Sequence, residues 1–366
     1  MNSVDGSTIT RRLAQVRQFV ADAAVDGLIV THLPNIQYLT GFAGTAGALL
    51  IAPSKSRLII DSRYVTAARA LVSALPEGLV SIEPVVRSYD ETIVETALRE
   101  DGERIGIEAA HLTVARFNAL SARLQLVPTE RIVERVRMVK DASEVAIFRE
   151  AARRLSAIAR RLGEMAAAGL TEKEVAGRIE DAMRQGGFSR PAFDTIVASG
   201  PNSALPHASP TDRALQAGDP TVLDFGGVYS GYCVDLTRTV QLGGISGDMA
   251  RLFAAVAEAQ KAAIAAVRPG VRPSEVDGAA RGVLERHGLG EAFGHGTGHG
   301  LGLEIHEEPR VGRPLAGLPD DPLVSGVVIT VEPGAYVPGL GGVRIEDDVL
   351  VTSDGCEVLT DVPTFL

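Results

Sequence analysis

Three of the chain's seven histidines fall in one short stretch, His295-Gly-Thr-Gly-His299-Gly-Leu-Gly-Leu-Glu304-Ile-His306-Glu307, interleaved with Gly294, Gly296, Gly298, Gly300 and Gly302. Glycine at every second position makes a helix unaffordable, at roughly 1 kcal/mol each relative to alanine, so the stretch reads as a strand or tight loop. Histidines on such a backbone suit metal ligation or proton transfer, because neutral imidazole is a good ligand and titrates near pH 7. The competing reading is a glycine-rich turn with incidental polar residues. Acidic residues elsewhere decide between the two.

Thr221-Val-Leu-Asp224-Phe-Gly-Gly and Gly231-Tyr-Cys-Val-Asp235-Leu-Thr-Arg-Thr239 both look like strands, and Gly226 to Gly231 carry three glycines, as a hairpin connection would. Such a hairpin can set Asp224 and Asp235 across from one another, where two buried carboxylates repel unless protonated or bridged by a cation. Glu332 closes the apolar run Val327-Val-Ile-Thr-Val331, an expensive place for a charge without a partner. In Gly342-Val-Arg344-Ile-Glu346-Asp347-Asp348-Val349 a period of two sends Arg344 and Glu346 to one face and Val343, Ile345 and Asp347 to the other. Asp224, Asp235, Glu332 and Glu346 supply four negative charges and neutral His299 none, which two divalent cations balance. An oxygen-rich shell with one imidazole suits Mn²⁺ or a similarly hard ion better than a thiolate-type zinc site.

The length, 366 residues, exceeds a usual single core, so two domains are expected. A net charge of −10 argues against sequence-independent binding to nucleic acid or anionic lipid. No apolar run reaches membrane-spanning length, and the start, Met1 to Arg12, lacks the apolar core of a secretory signal, so a cytoplasmic location is the default expectation. Cys233 and Cys356, the only cysteines, form no spacing motif and are expected to be reduced.

Over about the first 130 residues, helical patterns at 8–25, 63–74, 90–101 and 113–123 alternate with short apolar runs at 27–30, 47–51, 57–60 and 104–107, which is α/β patterning. Within it, Asn35-Ile-Gln-Tyr38-Leu-Thr-Gly41-Phe42 reads as a turn and Asp61-Ser-Arg63-Tyr64 as a helix start capped by Asp61. Beyond Pro128 come a long helical segment to about Ala168, a helix opened by the capping box Thr171-Glu-Lys-Glu174, and helical patterns at 247–267 and 273–287. The two helical pairs, each flanked by strands, hint at internal symmetry.

With these positions assembled, the sequence resembles the M24-type metallopeptidases: Xaa-Pro aminopeptidase (aminopeptidase P), Xaa-Pro dipeptidase (prolidase), methionine aminopeptidase and creatinase. The resemblance covers nearly the whole chain. It implies an α/β (α+β) protein with an amino-terminal creatinase-like α/β domain over 1–131, where the segments at 35–42 and 61–64 fit, and a pita-bread metallopeptidase domain over 132–366. It also implies Asp224, Asp235, His299, Glu332 and Glu346 as ligands of two divalent ions, Mn²⁺ first with Co²⁺ or Zn²⁺ as alternatives, and Asp235 and Glu346 as bridges. His207 and His306 fall where the family keeps histidines that contact substrate or the tetrahedral intermediate, and His295, Tyr336 and Arg344 fall at substrate-side or supporting positions.

Retention of all five ligand positions argues against the metal-free creatinase branch, and the large amino-terminal domain and the Arg-Ile-Glu-Asp context of 344–347 argue against methionine aminopeptidase. The expectation is a dinuclear exopeptidase cutting the bond between an amino-terminal residue and proline, an aminopeptidase P, with a dipeptide-restricted prolidase as the alternative and a non-catalytic binding module as a more distant one. Glu332 is then the proton carrier, and His207, His306 and Arg344 the catalytic company. Expected partners are short peptides with proline second, and a second copy of the chain: the family's amino-terminal domain supports dimers and can border a neighbour's site, which would bring Tyr38, Asp61, Arg63 and Tyr64 near substrate.

Overall fold

The computed structural model describes residues 5–100, 102–244 and 247–364, and the chain divides into two compact units, Met1–Arg137 and Met138–Leu366. In the first, α1 (Gly6–Asp22), β1 (Gly27–Val30), α2 (Leu33–Thr40), β2 (Ala48–Ile51), β3 (Ser56–Ile60), α3 (Val65–Val72), β4 (Val80–Pro84), α4 (Tyr89–Leu98), β5 (Arg104–Glu108), α5 (Val114–Ser121), β6 (Gln125–Thr129) and α6 (Ile132–Met138) follow in order. The strands make one mixed sheet in the order β4-β3-β2-β1-β5-β6. Strands β1 and β2 are buried at every position, as in a sheet covered on both faces; on one face Ile29, Leu50, Ile59 and Ile107 pack with Ile93 of α4 and Leu120 of α5.

Two local expectations fail here. Asn35 to Thr40 lie in α2, not in a turn, because Pro34 in the first turn and left-handed Gly41 at the end bracket a helix. Tyr38 is buried under the Arg12 guanidinium, 3.9 Å from the ring centroid, and its hydroxyl donates to Val136 O at 3.2 Å. Its side chain therefore belongs to its own unit and does not face outward. Asp61 is not a cap either: α3 starts after Tyr64 without a side-chain cap, while Asp61 accepts from Arg63 and Tyr89, which hold its carboxyl well below the usual range.

The second unit contains α7 (Ala142–Ala159), α8 (Leu162–Met165), α9 (Glu172–Gln185), β7 (Arg190–Pro191), β8 (Ile196–Ser199), β9 (Pro220–Tyr229), β10 (Tyr232–Gln241), α10 (Gly247–Ala266), α11 (Pro273–Arg286), β11 (Gly298–Gly300), β12 (Glu307–Val311), β13 (Val328–Val331), β14 (Gly334–Val337), β15 (Gly341–Arg344), β16 (Asp347–Val351) and β17 (Cys356–Val358). Strand β9 is flanked by β10 on one side and by β7 and β8 on the other, while β12-β11-β13-β16-β17 form a five-stranded sheet and β14-β15 a ribbon. One core joins Phe148, Leu155, Val175 and Ile179 of the first helical group to Phe225, Val234 and Leu236 of the hairpin. A second joins Leu252, Val256, Val276 and Val283 of α10 and α11 to Ile329, Val331 and Val349. Each such side chain contributes roughly 1.5–3 kcal/mol by leaving water. Both helical pairs thus serve to back a sheet whose opposite side holds polar residues.

Candidate metal centre

The hairpin sets the register of the acids. Strands β9 and β10 turn through only two residues, Ser230 (φ +50°) and Gly231 (φ +93°), the left-handed pair that a tight hairpin turn requires. The expected six-residue connection is therefore wrong: Gly226 and Gly227 lie inside β9. A side chain at Gly226 would collide with Val234 O and the Phe193 ring, and one at Gly227 with the Phe188 ring. Asp235 consequently faces Gly226 and Asp224 faces Thr237. The two aspartates are diagonal neighbours on one face, not opposite each other.

His299 stands on β11, the strand between β12 and β13, where a side chain at Gly298 would run into Thr330 O. The imidazole Nδ1 bonds Gly300 O at 3.0 Å, so Nδ1 carries the proton and Nε2 presents its lone pair to the acids. That nitrogen lies 3.5 Å from Glu332 Oε1 and 4.0 Å from Asp235 Oδ2. Glu332 follows directly on β13, and Glu346 occupies the break between β15 and β16, with Thr237 Oγ1 donating to its Oε2 at 2.6 Å. Arg344 and Glu346 do share a face, as alternation requires, although the strand is interrupted between them. Arg344 Nη2 donates to Asp224 Oδ2 at 2.6 Å and Nη1 to the Tyr336 hydroxyl at 2.7 Å and Pro206 O at 3.1 Å. Tyr336 in turn meets His295 Nε2 at 3.0 Å. A cavity of about 320 Å³ is walled by His207, Asp224, Asp235, His295, His299, His306, Glu332, Arg344 and Glu346. Tyr336 acts behind it, through Arg344 and His295.

The donor set fits divalent cations. Asp235, His299 and Glu346 each offer a ligand atom, and these lie within 4.8 Å of one another. Asp224 Oδ1, Asp235 Oδ1 and Glu346 Oε1 are buried and meet no hydrogen-bond donor among the described residues, an expensive arrangement unless a cation completes it. Burial, compounded by the neighbouring acids, pushes the carboxyls of Asp235 and Glu346 well above the carboxylate range, and Glu332 up to about 8. Burial brings His295 and His299 down to about 4 and lowers His306, with neighbouring positive charge adding to it. These imidazoles are neutral at pH 7 and able to ligate or accept.

Sequence reading missed several neighbours. Asp348, fully buried, accepts from Asp235 N at 3.1 Å, and Thr330 Oγ1 accepts from His299 N at 3.0 Å. Thr237, two residues after Asp235 on one strand face, carried a readable signal in the period of two. Arg310 and the apolar Phe193, Ile196 and Ile305 also line the cavity; only the fold brings them there.

The sequence matches the model of metallopeptidase family M24 over residues 146–353, and that of the creatinase/prolidase N-terminal domain over 12–139. The chain belongs to metallopeptidase family M24. Among M24 relatives, the Xaa-Pro dipeptidase of Pyrococcus furiosus is 34% identical over 353 residues, 95% of this chain and 97% of the relative. The solved structure of a Xaa-Pro dipeptidase from Bacillus anthracis superposes with a TM-score of 0.93 at 35% identity, covering 98% of this chain and 100% of that one. The X-Pro aminopeptidase from Thermotoga maritima gives 0.86 at 33% identity, over 97% and 98%. As an M24 member the chain is a peptidase, a hydrolase with a creatinase-type amino-terminal domain and a pita-bread domain. No helix among the described residues is long and apolar enough to cross a membrane.

Proposed function

We propose that this M24 peptidase is a dinuclear metal-dependent Xaa-Pro dipeptidase. The observation that carries the reading is the convergence on one cavity of three buried acids, the half-buried Glu332 and one imidazole, with carboxylate oxygens that meet no donor among the described residues. Asp224, Asp235, His299, Glu332 and Glu346 would hold the ions. When bound, such ions lower the pKa of water towards neutrality and polarise the scissile carbonyl.

The chain's own groups do the rest. Glu332 Oε1, 3.5 Å from His299 Nε2, takes the proton from water and passes it to the leaving proline nitrogen. His207 and His306, on two different loops of the cavity wall, donate to the oxyanion or hold the substrate. Arg344, fully engaged by Asp224 and Tyr336, orients those groups rather than gripping substrate. Arg310 is the remaining cation on the wall and suits the carboxylate of a substrate that ends at proline.

That last feature, together with relatives named Xaa-Pro dipeptidases, moves the weight from aminopeptidase P to the dipeptidase. Likeness to the Thermotoga maritima X-Pro aminopeptidase keeps aminopeptidase P as the second reading. The deciding assay compares Mn²⁺-loaded protein on a Xaa-Pro dipeptide and on the same peptide extended by one residue. Cleavage confined to the dipeptide is expected. Preference for the extended peptide would make it an aminopeptidase P, and silence on both with metal bound would overturn both readings.

A further inference from the structure

Glu172 opens α9, where an acid is ordinarily explained by the helix dipole. Its side chain does something else. Fully buried, it leaves the helix and takes every hydrogen bond from one excursion of chain. Oε1 accepts from Ser199 N and Ser199 Oγ, both at 2.7 Å, and from Asn202 Nδ2 at 3.0 Å. Oε2 accepts from Thr211 N at 2.9 Å, Thr211 Oγ1 at 2.6 Å and Asn202 Nδ2 at 3.1 Å. The two ends of the excursion, Ser199 and Thr211, are thereby pinned to one carboxylate, and the backbone repeats the clamp through Glu172 N to Arg213 O and Lys173 N to Thr211 O. Arg213 adds a bond from Nη1 to Ser199 Oγ at 2.6 Å.

Between the pinned ends the chain reaches the cavity. Ser203 Oγ accepts from Gly342 N at 2.9 Å, Pro206 O accepts from Arg344 Nη1 at 3.1 Å, and His207 follows on the cavity wall. His207 itself is exposed and stands on a turn without regular structure, so its place is set by how the excursion is held at its base and its tip. We propose that Glu172 is a positioning residue for His207, fixing the loop that carries the imidazole to the reacting carbonyl; the proposal rests on the reading of His207 as a substrate-facing group. Hydrogen bonds from Thr211 and Ser199 outweigh the effect of burial and keep the Glu172 carboxyl below its ordinary value, so it stays an acceptor at both oxygens at any pH where the enzyme works. Glutamine has the same shape but can accept at only one end, and its amide would face a backbone N–H at the other. Thr211→Val removes one donor with no change of volume, and Thr211→Ser restores it.

The test combines kinetics with hydrogen exchange on the Mn²⁺-loaded full chain. Glu172→Gln and Thr211→Val should lower kcat on a Xaa-Pro dipeptide by about 10-fold or more, with metal content unchanged and Thr211→Ser close to wild type. In a His207→Ala background the same Glu172→Gln change should cost less than about 2-fold, because the group it positions is gone. The Ser199 and Thr211 amides should exchange at least about 10-fold faster in Glu172→Gln, a readout independent of turnover. Equal losses in both backgrounds, or unchanged exchange, would overturn the proposal. A His207→Ala variant as fast as wild type would overturn it too, and faster exchange in Glu172→Gln would then place the fault in the role given to His207 rather than in the clamp.

Discussion

Two buried acidic regions of the catalytic unit lie within reach of one loop and behave in opposite ways. Around Glu172 each carboxylate oxygen is met by three donors, and its carboxyl is held below its ordinary value. Around Asp235 and Glu346 one oxygen of each meets no donor among the described residues, acids crowd acids, and the carboxyls are pushed well above the carboxylate range. The same residue types thus do two jobs. A carboxylate surrounded by N–H and O–H groups is a structural fastener; one surrounded by other carboxylates is a demand for cations.

The strongest attempt to break this contrast is removal of a ligand. Asp235→Asn or His299→Ala should bring turnover of Xaa-Pro dipeptides to background and lower metal content, while circular dichroism stays native; full loading with retained turnover would refute the ligand assignment. Next come the histidines that flank the cavity. His207→Ala and His306→Ala should lower kcat by ~10²-fold without loss of metal, if they act on the transition state. Parallel loss of metal and rate, by metal analysis and kinetics, would move them to the ligand side of the comparison.

Stability sharpens it further, with opposite signs. After chelation, Glu346→Gln should raise the free energy of unfolding by about 1–3 kcal/mol, since it removes a charge that burial and neighbours oppose. Glu172→Ala should lower it by about 2–4 kcal/mol, since it strands buried donors. Denaturant titration reads both. The most gradual effect is a slope. Glu332 titrates at about 8 in the folded chain against about 4.3 unfolded, so between these values the folded state holds a proton that the unfolded state has released. Chelated protein should therefore lose stability as pH rises from about 5 to 8, by at most about 1.4 kcal/mol per pH unit for one such group. Metal-loaded protein should lack this slope, and Glu172, with its lowered value, contributes stability that disappears only as pH falls into the acid range. A falling slope that persists with metal bound would mean that the ions do not engage these carboxylates.

Much of this was legible in the sequence, and the reasons are local. Strands such as Gly27–Val30 and the capping box at Thr171 follow from patterns within a few residues, and the acids at 224, 235, 332 and 346 announce themselves by sitting in apolar runs. What escaped depends on contacts between distant segments. Nothing near Gly226 says that Phe193 lies over it, so the hairpin was read with too long a turn and its aspartates one diagonal off. Nothing near Tyr38 says that Arg12 covers its ring. Glu172 sat unremarked inside a capping box whose own signal comes from Thr171 and Glu174, because its partners at 199, 202 and 211 become neighbours only once β8 pairs with β9.

The two-residue turn at Ser230–Gly231 also has a consequence in time. Asp224 and Asp235 reach their final spacing as soon as that hairpin closes, whereas Glu332 and Glu346 come from the last strands to be synthesised. A chain emerging from the ribosome would thus carry two of the five proposed ligands before His299, Glu332 and Glu346 are made.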